Sequence, residues 1–331
     1  MHNYANIEDF SYNFLETLME KASFLKKNKY NDNLKNKTMV GLFFNPSTRT
    51  RTSFDFAMQQ QGGHFISLEP GGKSWGIDIE ENIVMNGENE EHLKDAVNVL
   101  SRYTDCIGVR CFPKFVDWDY DKKDIVLNNI LKWSSVPVVN LETISHPCQA
   151  LAMLLTMKEK FRDLKKKKFV LSWSYHPKGL NTAVGNSALI AAAMAGMDVT
   201  VVNPPDYNLD NKYLNLGKDF VSKNGGTVKI SNNQKEAFEG ADFVYVKSWG
   251  SLKQYGAFNP EEQLKYKDWL VTTDKMALTN NAFVSHCLPV RRNIVIADDV
   301  LDSNNSLIYD EAENRLHVQK AILNFLLGAE S

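Results

Sequence analysis

The sequence predicts an α/β protein with two doubly wound parallel-sheet domains. Short apolar runs alternate with helical stripes of apolar residues along both halves of the chain, a pattern typical of parallel sheets with helices on both faces. The length of 331 residues also fits two domains, at about 150 residues for each.

The first half of the chain predicts alternating helices and strands. Apolar residues at helical spacing between Phe10 and Leu25 predict a first helix, and the short apolar run 39–44 predicts a buried strand. The stripe through 54–61 predicts a helix that ends at Gly62-Gly63. The further predicted elements are strands 64–69, 106–110 and 136–142, with helices 92–103 and 149–161.

The second half repeats the alternation after the solvated lysine run 165–168. Val318, Ile322, Phe325 and Leu326 recur at helical spacing and predict a C-terminal helix. The other predicted elements are strands 169–174, 199–203, 243–247 and 283–287, with an alanine-rich helix over 186–196.

Composition and charge exclude several classes of function. The 38 Lys and Arg residues against 40 Asp and Glu leave no basic excess, so we expect no nucleic-acid partner. The apolar stretch 188–197 is shorter than the about 20 residues of a membrane span, so we expect no membrane partner. Four cysteines without CxxC spacing, and a first segment unlike a signal peptide, predict a cytoplasmic protein.

Ligands of open parallel sheets bind beyond the carboxyl ends of the strands, so the residues after each strand are candidates for a site. The segment Ser47-Thr48-Arg49-Thr50-Arg51-Thr52 follows the first strand and begins a helix. Free N–H groups of a helix start, with two arginines and several hydroxyls, predict an anion site such as one for phosphate. No GxxxxGK[ST] occurs, so a nucleotide is not implied.

Three further strand ends carry polar groups. Arg110 and Glu142 each close an apolar strand, and His146-Pro147-Cys148-Gln149 opens the next helix. His286-Cys287-Leu288-Pro289 ends a strand of the second half, where neighbouring side chains point to opposite faces and disfavour a Cys–His catalytic pair. Without GxGxxG, HExxH or zinc-type spacing, we expect no cofactor and no metal.

Together the three motifs Ser47-Thr48-Arg49-Thr50-Arg51, His146-Pro147-Cys148-Gln149 and His286-Cys287-Leu288-Pro289 resemble the signatures of the aspartate/ornithine carbamoyltransferases. The resemblance implies a carbamoyl-phosphate domain over 1–147 and 308–331 and an acylated-ornithine domain over 148–307. It also implies long helices that join the domains, a C-terminal helix that returns to the first domain, and a homotrimer with shared active sites.

Segments such as GGKSWGIDIE and DEAENRLHVQKAI resemble the branch of the family that acts on N2-acetylornithine. This implies an enzyme of arginine biosynthesis that moves the carbamoyl group of carbamoyl phosphate to the δ-amino group of N2-acetyl-L-ornithine, giving N-acetylcitrulline and phosphate. The main alternative is transfer to N-succinylornithine. A non-catalytic anion-binding module is a remoter alternative, and the missing glycine fingerprint disfavours a nicotinamide-dependent dehydrogenase.

The resemblance also implies roles for single residues. The phosphate would be bound by Ser47, Thr48, Arg49 and Thr50, with Trp75 inserted from a neighbouring subunit. The carbamoyl group would be held by Arg110, His146, Gln149, Cys287, Leu288 and Arg315, and catalysis is assigned to Arg49, Arg110, His146, Gln149 and Cys287. The acylated ornithine would contact Glu142, His176, Lys178, Lys247 and Leu288.

Three positions bear on the acceptor. Lys247 stands where ornithine-specific relatives carry an aspartate, so an acylated amino acid without a free α-ammonium is favoured. Glu90 replaces a proline of succinyl-specific relatives, and its charge would repel a succinyl carboxylate and tolerate an acetyl group. Val295 stands where some relatives carry a modifiable lysine, which removes that group from the acyl pocket of this chain.

Overall fold

The structure, a computed structural model, describes residues 2–328 and contains two large parallel sheets and a two-stranded parallel pair, Ile77–Asp78 with Glu91–His92. The strands are β1 Thr38–Phe43, β2 His64–Leu68, β3 Ile77–Asp78, β4 Glu91–His92, β5 Cys106–Arg110, β6 Val138–Glu142, β7 Lys168–Trp173, β8 Asp198–Val202, β9 Thr227–Ser231, β10 Phe243–Lys247 and β11 Phe283–Ser285. The α-helices are α1 Tyr12–Lys27, α2 Arg49–Gln59, α3 Leu93–Tyr103, α4 Trp118–Asp121, α5 Ile125–Trp133, α6 Pro147–Lys160, α7 Ala183–Met194, α8 Asn211–Asn224, α9 Gln234–Phe238, α10 Pro260–Leu264, α11 Thr273–Met276, α12 Asp298–Leu301 and α13 Ile308–Leu327.

The first sheet has the order β2-β1-β5-β6, and all its neighbouring strands are parallel. Its strands are apolar because both faces are covered: β1, β5 and β6 are almost entirely buried. The chain reverses its direction of winding between β1 and β5, so a crevice opens beyond their carboxyl ends.

The second sheet has the order β11-β10-β7-β8-β9 and is also parallel throughout. Its winding reverses between β7 and β10, which places a second crevice at the ends of those strands. Every residue of the alanine-rich helix α7 is buried, because small side chains let this helix pack closely between its neighbours.

Helix α13 carries the end of the chain back to the first half, where it packs against α1, α2 and α6. Its first two turns lie under the cavity described below, and Glu311, Asn314 and Arg315 are buried there. The predicted α/β architecture of two parallel sheets with a returning C-terminal helix is therefore confirmed.

Most predicted elements are present, and two of the differences from the prediction are instructive. The edge strand β9 was not predicted, since only Val228 and Ile230 alternate with polar residues in a mostly exposed segment. The strand predicted over 283–287 ends at Ser285, because the Leu288 N–H donates to His286 Nδ1 at 2.9 Å and turns the backbone out of the sheet. Across residues 2–328, none of the helices has both the length and the apolar character to cross a bilayer.

Candidate active site

A cavity of about 730 Å³ opens where the carboxyl ends of both sheets meet. Its walls come from the segments after β1, β5, β6, β7, β10 and β11, together with α13, so the two crevices form one site. The polar and charged residues that line it are Ser47, Thr48, Arg49, Thr50, Arg110, Glu142, His146, Gln149, His176, Asn181, Lys247, Arg291 and Arg315.

The cavity wall is strongly cationic. Arg49, Arg110, Lys247, Arg291 and Arg315 supply positive charge, and Glu142 is the one acid among the described lining residues. Such a wall suits an anionic ligand, since low-dielectric surroundings strengthen each attraction. Residues 2–328 contain no cluster of three or more His, Cys, Asp or Glu side chains arranged to hold a metal ion.

The start of α2 forms the part of the cavity wall where the sequence predicts an anion-binding site. Ser47, Thr48, Arg49 and Thr50 line the cavity, and the Thr48 side chain makes no capping bond to the helix. N–H groups of the first turn and the helix dipole therefore favour a negative group here. Arg51, in contrast, pairs with Glu69 outside the cavity. One arginine of this segment, Arg49, therefore lines the predicted anion site, and not two.

Arg110 and Glu142 form a buried ion pair at the ends of β5 and β6, and only 11% of each side chain is exposed. The Arg110 guanidinium also lies 4.5 Å from the centre of the Phe112 ring. Glu142 Oε2 is 3.6 Å from His146 Nε2, so the carboxylate stands between the arginine and the imidazole. These contacts hold Arg110 in one orientation toward the cavity.

His146 is an uncharged group in this site. Burial lowers the pKa of His146 well below its usual value, and the charges of Arg315, Arg110 and Lys247 lower it further. The imidazole is therefore neutral at pH 7 and offers one N–H donor and one lone pair. The Ser187 hydroxyl accepts the backbone N–H of His146 at 2.7 Å, which fixes the start of α6.

Gln149, Arg315 and Thr50 are joined by hydrogen bonds although they lie far apart in the chain. Arg315 Nη1 donates to Gln149 Oε1 at 2.8 Å, and its Nη2 donates to Thr50 Oγ1 at 2.9 Å. Gln149 Nε2 donates to Glu311, a residue that the sequence motifs did not single out. The sequence feature that could have indicated Glu311 is its position one helical turn before Arg315.

Residues after β7 and β11 close the opposite wall. Arg291 Nε donates to His176 Nε2 at 3.1 Å, and His176 Nδ1 lies 3.1 Å from both the backbone nitrogen and the carbonyl oxygen of Lys178. Burial lowers the pKa of His176 to about 4, helped by the charge of Lys247, so this imidazole is also neutral. Arg291 was not predicted, although it follows the His286-Cys287-Leu288-Pro289 motif as a basic residue.

Cys287 and Leu288 line the cavity as expected, but the cysteine is not activated. Burial raises the pKa of the Cys287 thiol to about 11, so it is protonated at neutral pH. His286 Nδ1 accepts the Leu288 N–H instead of bonding to the thiol. The arrangement therefore gives no nucleophilic Cys–His pair.

Four predicted positions lie outside this cavity. Trp75 is 68% exposed and lines a separate cavity of about 570 Å³ beside β2 and α3. Glu90 and the side chain of Lys178 are exposed to solvent. Val295 is buried in an apolar cluster of the second half, where the Ser174 hydroxyl donates to its carbonyl at 2.8 Å. Within one chain, Trp75 and Glu90 are therefore not brought to the other site residues.

Comparisons with known proteins agree with this arrangement. The carbamoyl-P binding domain of aspartate/ornithine carbamoyltransferase matches residues 2–159, and the Asp/Orn binding domain matches residues 179–326. N-acetylornithine carbamoyltransferase of Xanthomonas campestris pv. campestris is 49% identical, over 99% of this chain and 98% of the relative. N-succinylornithine carbamoyltransferase of Bacteroides thetaiotaomicron is 36% identical, over 87% of this chain and 86% of the relative.

A solved structure extends the agreement to the backbone. Acetylornithine transcarbamylase complexed with acetylcitrulline superposes with a TM-score of 0.98 at 49% identity, covering 99% of this chain and all of that one. Two family domains in order, near-complete coverage and a shared fold leave one conclusion: the chain belongs to the aspartate/ornithine carbamoyltransferase family.

Proposed function

We propose that this chain transfers the carbamoyl group of carbamoyl phosphate to the δ-amino group of N2-acetyl-L-ornithine, giving N-acetylcitrulline and phosphate in arginine biosynthesis. The observation that carries the proposal is one cationic cavity in which the residues of all three motifs converge. The 49% identity to an N-acetylornithine carbamoyltransferase along nearly the whole chain supports N-acetylornithine as the acceptor.

Carbamoyl phosphate needs stabilisation of charge more than a protein nucleophile. Arg49 and the N–H groups at the start of α2 would bind the phosphate and its growing charge as the C–O bond breaks. Arg110 and the neutral His146 would polarise the carbamoyl oxygen. Their orientation is fixed before the ligand arrives, so little reorganisation is required during the reaction.

The acceptor nitrogen attacks the carbamoyl carbon with its lone pair, and the bond from that carbon to the phosphate oxygen then breaks. The amine must be neutral to attack, although its pKa in water is near that of lysine, about 10.4. The departing phosphate, held beside the new C–N bond, takes the proton that the nitrogen loses. Alignment of the two reactants supplies much of the remaining rate gain.

The amino-acid end of the acceptor would lie against the second sheet. Lys247, only 8% exposed at the end of β10, offers its ammonium to an α-carboxylate. A free α-ammonium would be repelled by the same group, which favours an acylated ornithine over ornithine. Glu142 is the lining acid that could accept a hydrogen bond from the acyl-amide N–H.

We also propose the domain division 1–147 with 308–331, and 148–307, and a homotrimer in the cytoplasm. Exposed apolar side chains along β2, α3 and the loop between them support contact with further copies of the chain. These are Ile66, Trp75, Val99 and Tyr103. In a trimer, Trp75 and Glu90 of one subunit would complete the cavity of the next, which light scattering and a Trp75→Ala variant would test.

The test of the proposed function is a colorimetric assay for ureido products. Purified chain is incubated with carbamoyl phosphate and, in parallel, ornithine, N2-acetylornithine or N2-succinylornithine. We expect turnover with N2-acetylornithine to exceed turnover with the other two. A preference for succinylornithine would reassign the acceptor, and no product from any acceptor would contradict carbamoyl transfer.

A further inference from the structure

One fully buried carboxylate lies beneath the cavity, in the first turn of α13. Glu311 is 0% exposed and accepts a hydrogen bond from Tyr245 Oη at 2.8 Å. It also accepts from Gln149 Nε2 and from Ser285 Oγ. Because these donors stand on α6, β10 and β11, one carboxylate joins the C-terminal helix to both halves of the site.

The contacts of Gln149 are possible in one orientation of its amide only. Three donors face the Glu311 carboxylate, so it accepts from the Gln149 amide nitrogen although burial raises its pKa. A guanidinium has no lone pair to offer, so Arg315 can donate only to the amide oxygen, which it does at 2.8 Å. Glu311 and Arg315 stand one turn apart on α13 and hold opposite ends of the same amide.

The orientation of this amide decides which group can bind beside it. With Oε1 next to Arg315 at the cavity wall, Gln149 retains an oxygen lone pair that can accept an N–H. A flipped amide would present its own N–H groups, which repel an NH2 group and attract an oxygen. The amide therefore distinguishes the nitrogen of a carbamoyl group from an oxygen or a methyl group.

We propose that Glu311 is a positioning residue of the carbamoyl-phosphate site, one that locks Gln149 with its oxygen available to the carbamoyl NH2. The inference rests on the proposed function, since it takes the carbamoyl NH2 as the ligand group that Gln149 binds. Glu311 touches no ligand in this assignment and acts through Gln149 and Arg315.

The closing experiment is a double-mutant cycle of Glu311→Gln and Gln149→Ala, read in kcat, in KM for each substrate and in the dissociation constant of carbamoyl phosphate. A glutamine at 311 is uncharged and can turn its own N–H toward Gln149, so the Gln149 amide nitrogen loses its charged acceptor and Arg315 alone orients the amide. We expect E311Q to lower kcat about tenfold to a hundredfold, the effect of losing a charge-assisted hydrogen bond, and to change KM for the amine less than threefold. In the Q149A background, the same change should alter kcat less than threefold.

Tyr245→Phe and Ser285→Ala are matched controls, because each removes one other hydrogen bond to the same carboxylate. We expect both to lower the melting temperature and to leave kcat within threefold. Equal losses of kcat from E311Q in both backgrounds, or none in the wild-type background, would overturn the inference. If E311Q does not fold, Glu311→Asp keeps the charge, retracts the carboxylate by one methylene and enters the same cycle.

The design separates this inference from the proposed function. Wild-type chain that binds carbamoyl phosphate but carbamoylates no acceptor would contradict the proposed reaction. The cycle would then be read in the dissociation constant alone, with the same expected coupling between Glu311 and Gln149. A wild-type chain that does not bind carbamoyl phosphate would overturn both.

Discussion

Arg110→Met is the substitution that tests the charge stabilisation of the site most directly. Methionine keeps an unbranched side chain of similar length and removes the guanidinium, which is the partner of Glu142 and lies 4.5 Å from the Phe112 ring. Two consequences follow, one for the transition state and one for the folded protein. They can be measured separately.

The catalytic loss follows from the donor that disappears. Removal of one fixed donor to a developing oxyanion costs about 100-fold to 1,000-fold in kcat, or about 2.7–4 kcal/mol. The loss in stability follows from Glu142, which stays buried without its partner; breaking such a pair costs about 3–5 kcal/mol. We expect the lower end, since Arg49 and Arg315 also lie near the Glu142 charge.

Arg51→Met is the matched control. Arg51 also pairs with an acid, Glu69, and its guanidinium lies 5.0 Å from the Phe43 ring, but it does not line the cavity. Both side chains of that pair are 32% exposed, so its loss should cost at most about 1 kcal/mol. We expect kcat within threefold of wild type for this variant.

The assay is ureido-product formation under saturating substrates, with urea unfolding of each variant to establish that it is folded. A folded Arg110→Met enzyme with kcat within threefold of wild type would refute the assigned role of Arg110. Equal losses from both arginine variants would indicate a general effect of charge instead of stabilisation at the reacting carbon.

Three further predictions concern protonation and specificity. Burial lowers the pKa of His146 and of His286 well below the usual value. As the pH falls, the unfolded chain therefore binds protons that the folded chain does not. Stability should fall by about 1.4 kcal/mol per pH unit for each histidine as the pH drops from about 6.5 to 5, and urea titrations that stay flat there would contradict this. With the Cys287 pKa at about 11, its alkylation by iodoacetamide at pH 7 should be about 300-fold slower than that of a free cysteine, as mass spectrometry would measure. Glu90→Pro should raise the ratio of activity on N2-succinylornithine to activity on N2-acetylornithine, and Glu88→Pro, changed at another exposed acid of the same loop, should leave that ratio unaltered.

The sequence was sufficient to predict that several strand ends line one cavity, because parallel sheets place the ends of apolar strands together. Arg110 and Glu142 were found in this way, each as the polar end of a buried strand, whereas Lys247 was found through the family resemblance. Helical geometry could have corrected the prediction for Arg51: two positions along an α-helix correspond to a rotation of about 200°, so Arg49 and Arg51 cannot face the same cavity.

Other features depend mainly on contacts between distant segments. Glu311 acquires its role from donors on three other elements, and its own segment is only an amphipathic helix start. Strand β11 ends early because the His286 side chain accepts the Leu288 backbone N–H, and this bond competes with the sheet ladder. Sequence periodicity reports which face of an element is buried, and it does not report such hydrogen bonds.

The cationic wall explains how one cavity can serve both reactants. Arg49, Arg110 and Arg315 would attract a phosphate dianion, and the same charges would disfavour protonation of an amine placed beside them. Burial lowers the pKa values of His146 and His176 in that cavity, and neighbouring cations contribute in the same direction, so an acceptor amine should respond likewise. Bound phosphate then offsets part of that charge and provides a base for the proton released on attack. Acceptor binding should therefore release protons to solvent, and calorimetry in buffers of different ionisation enthalpy would detect that release at pH 8.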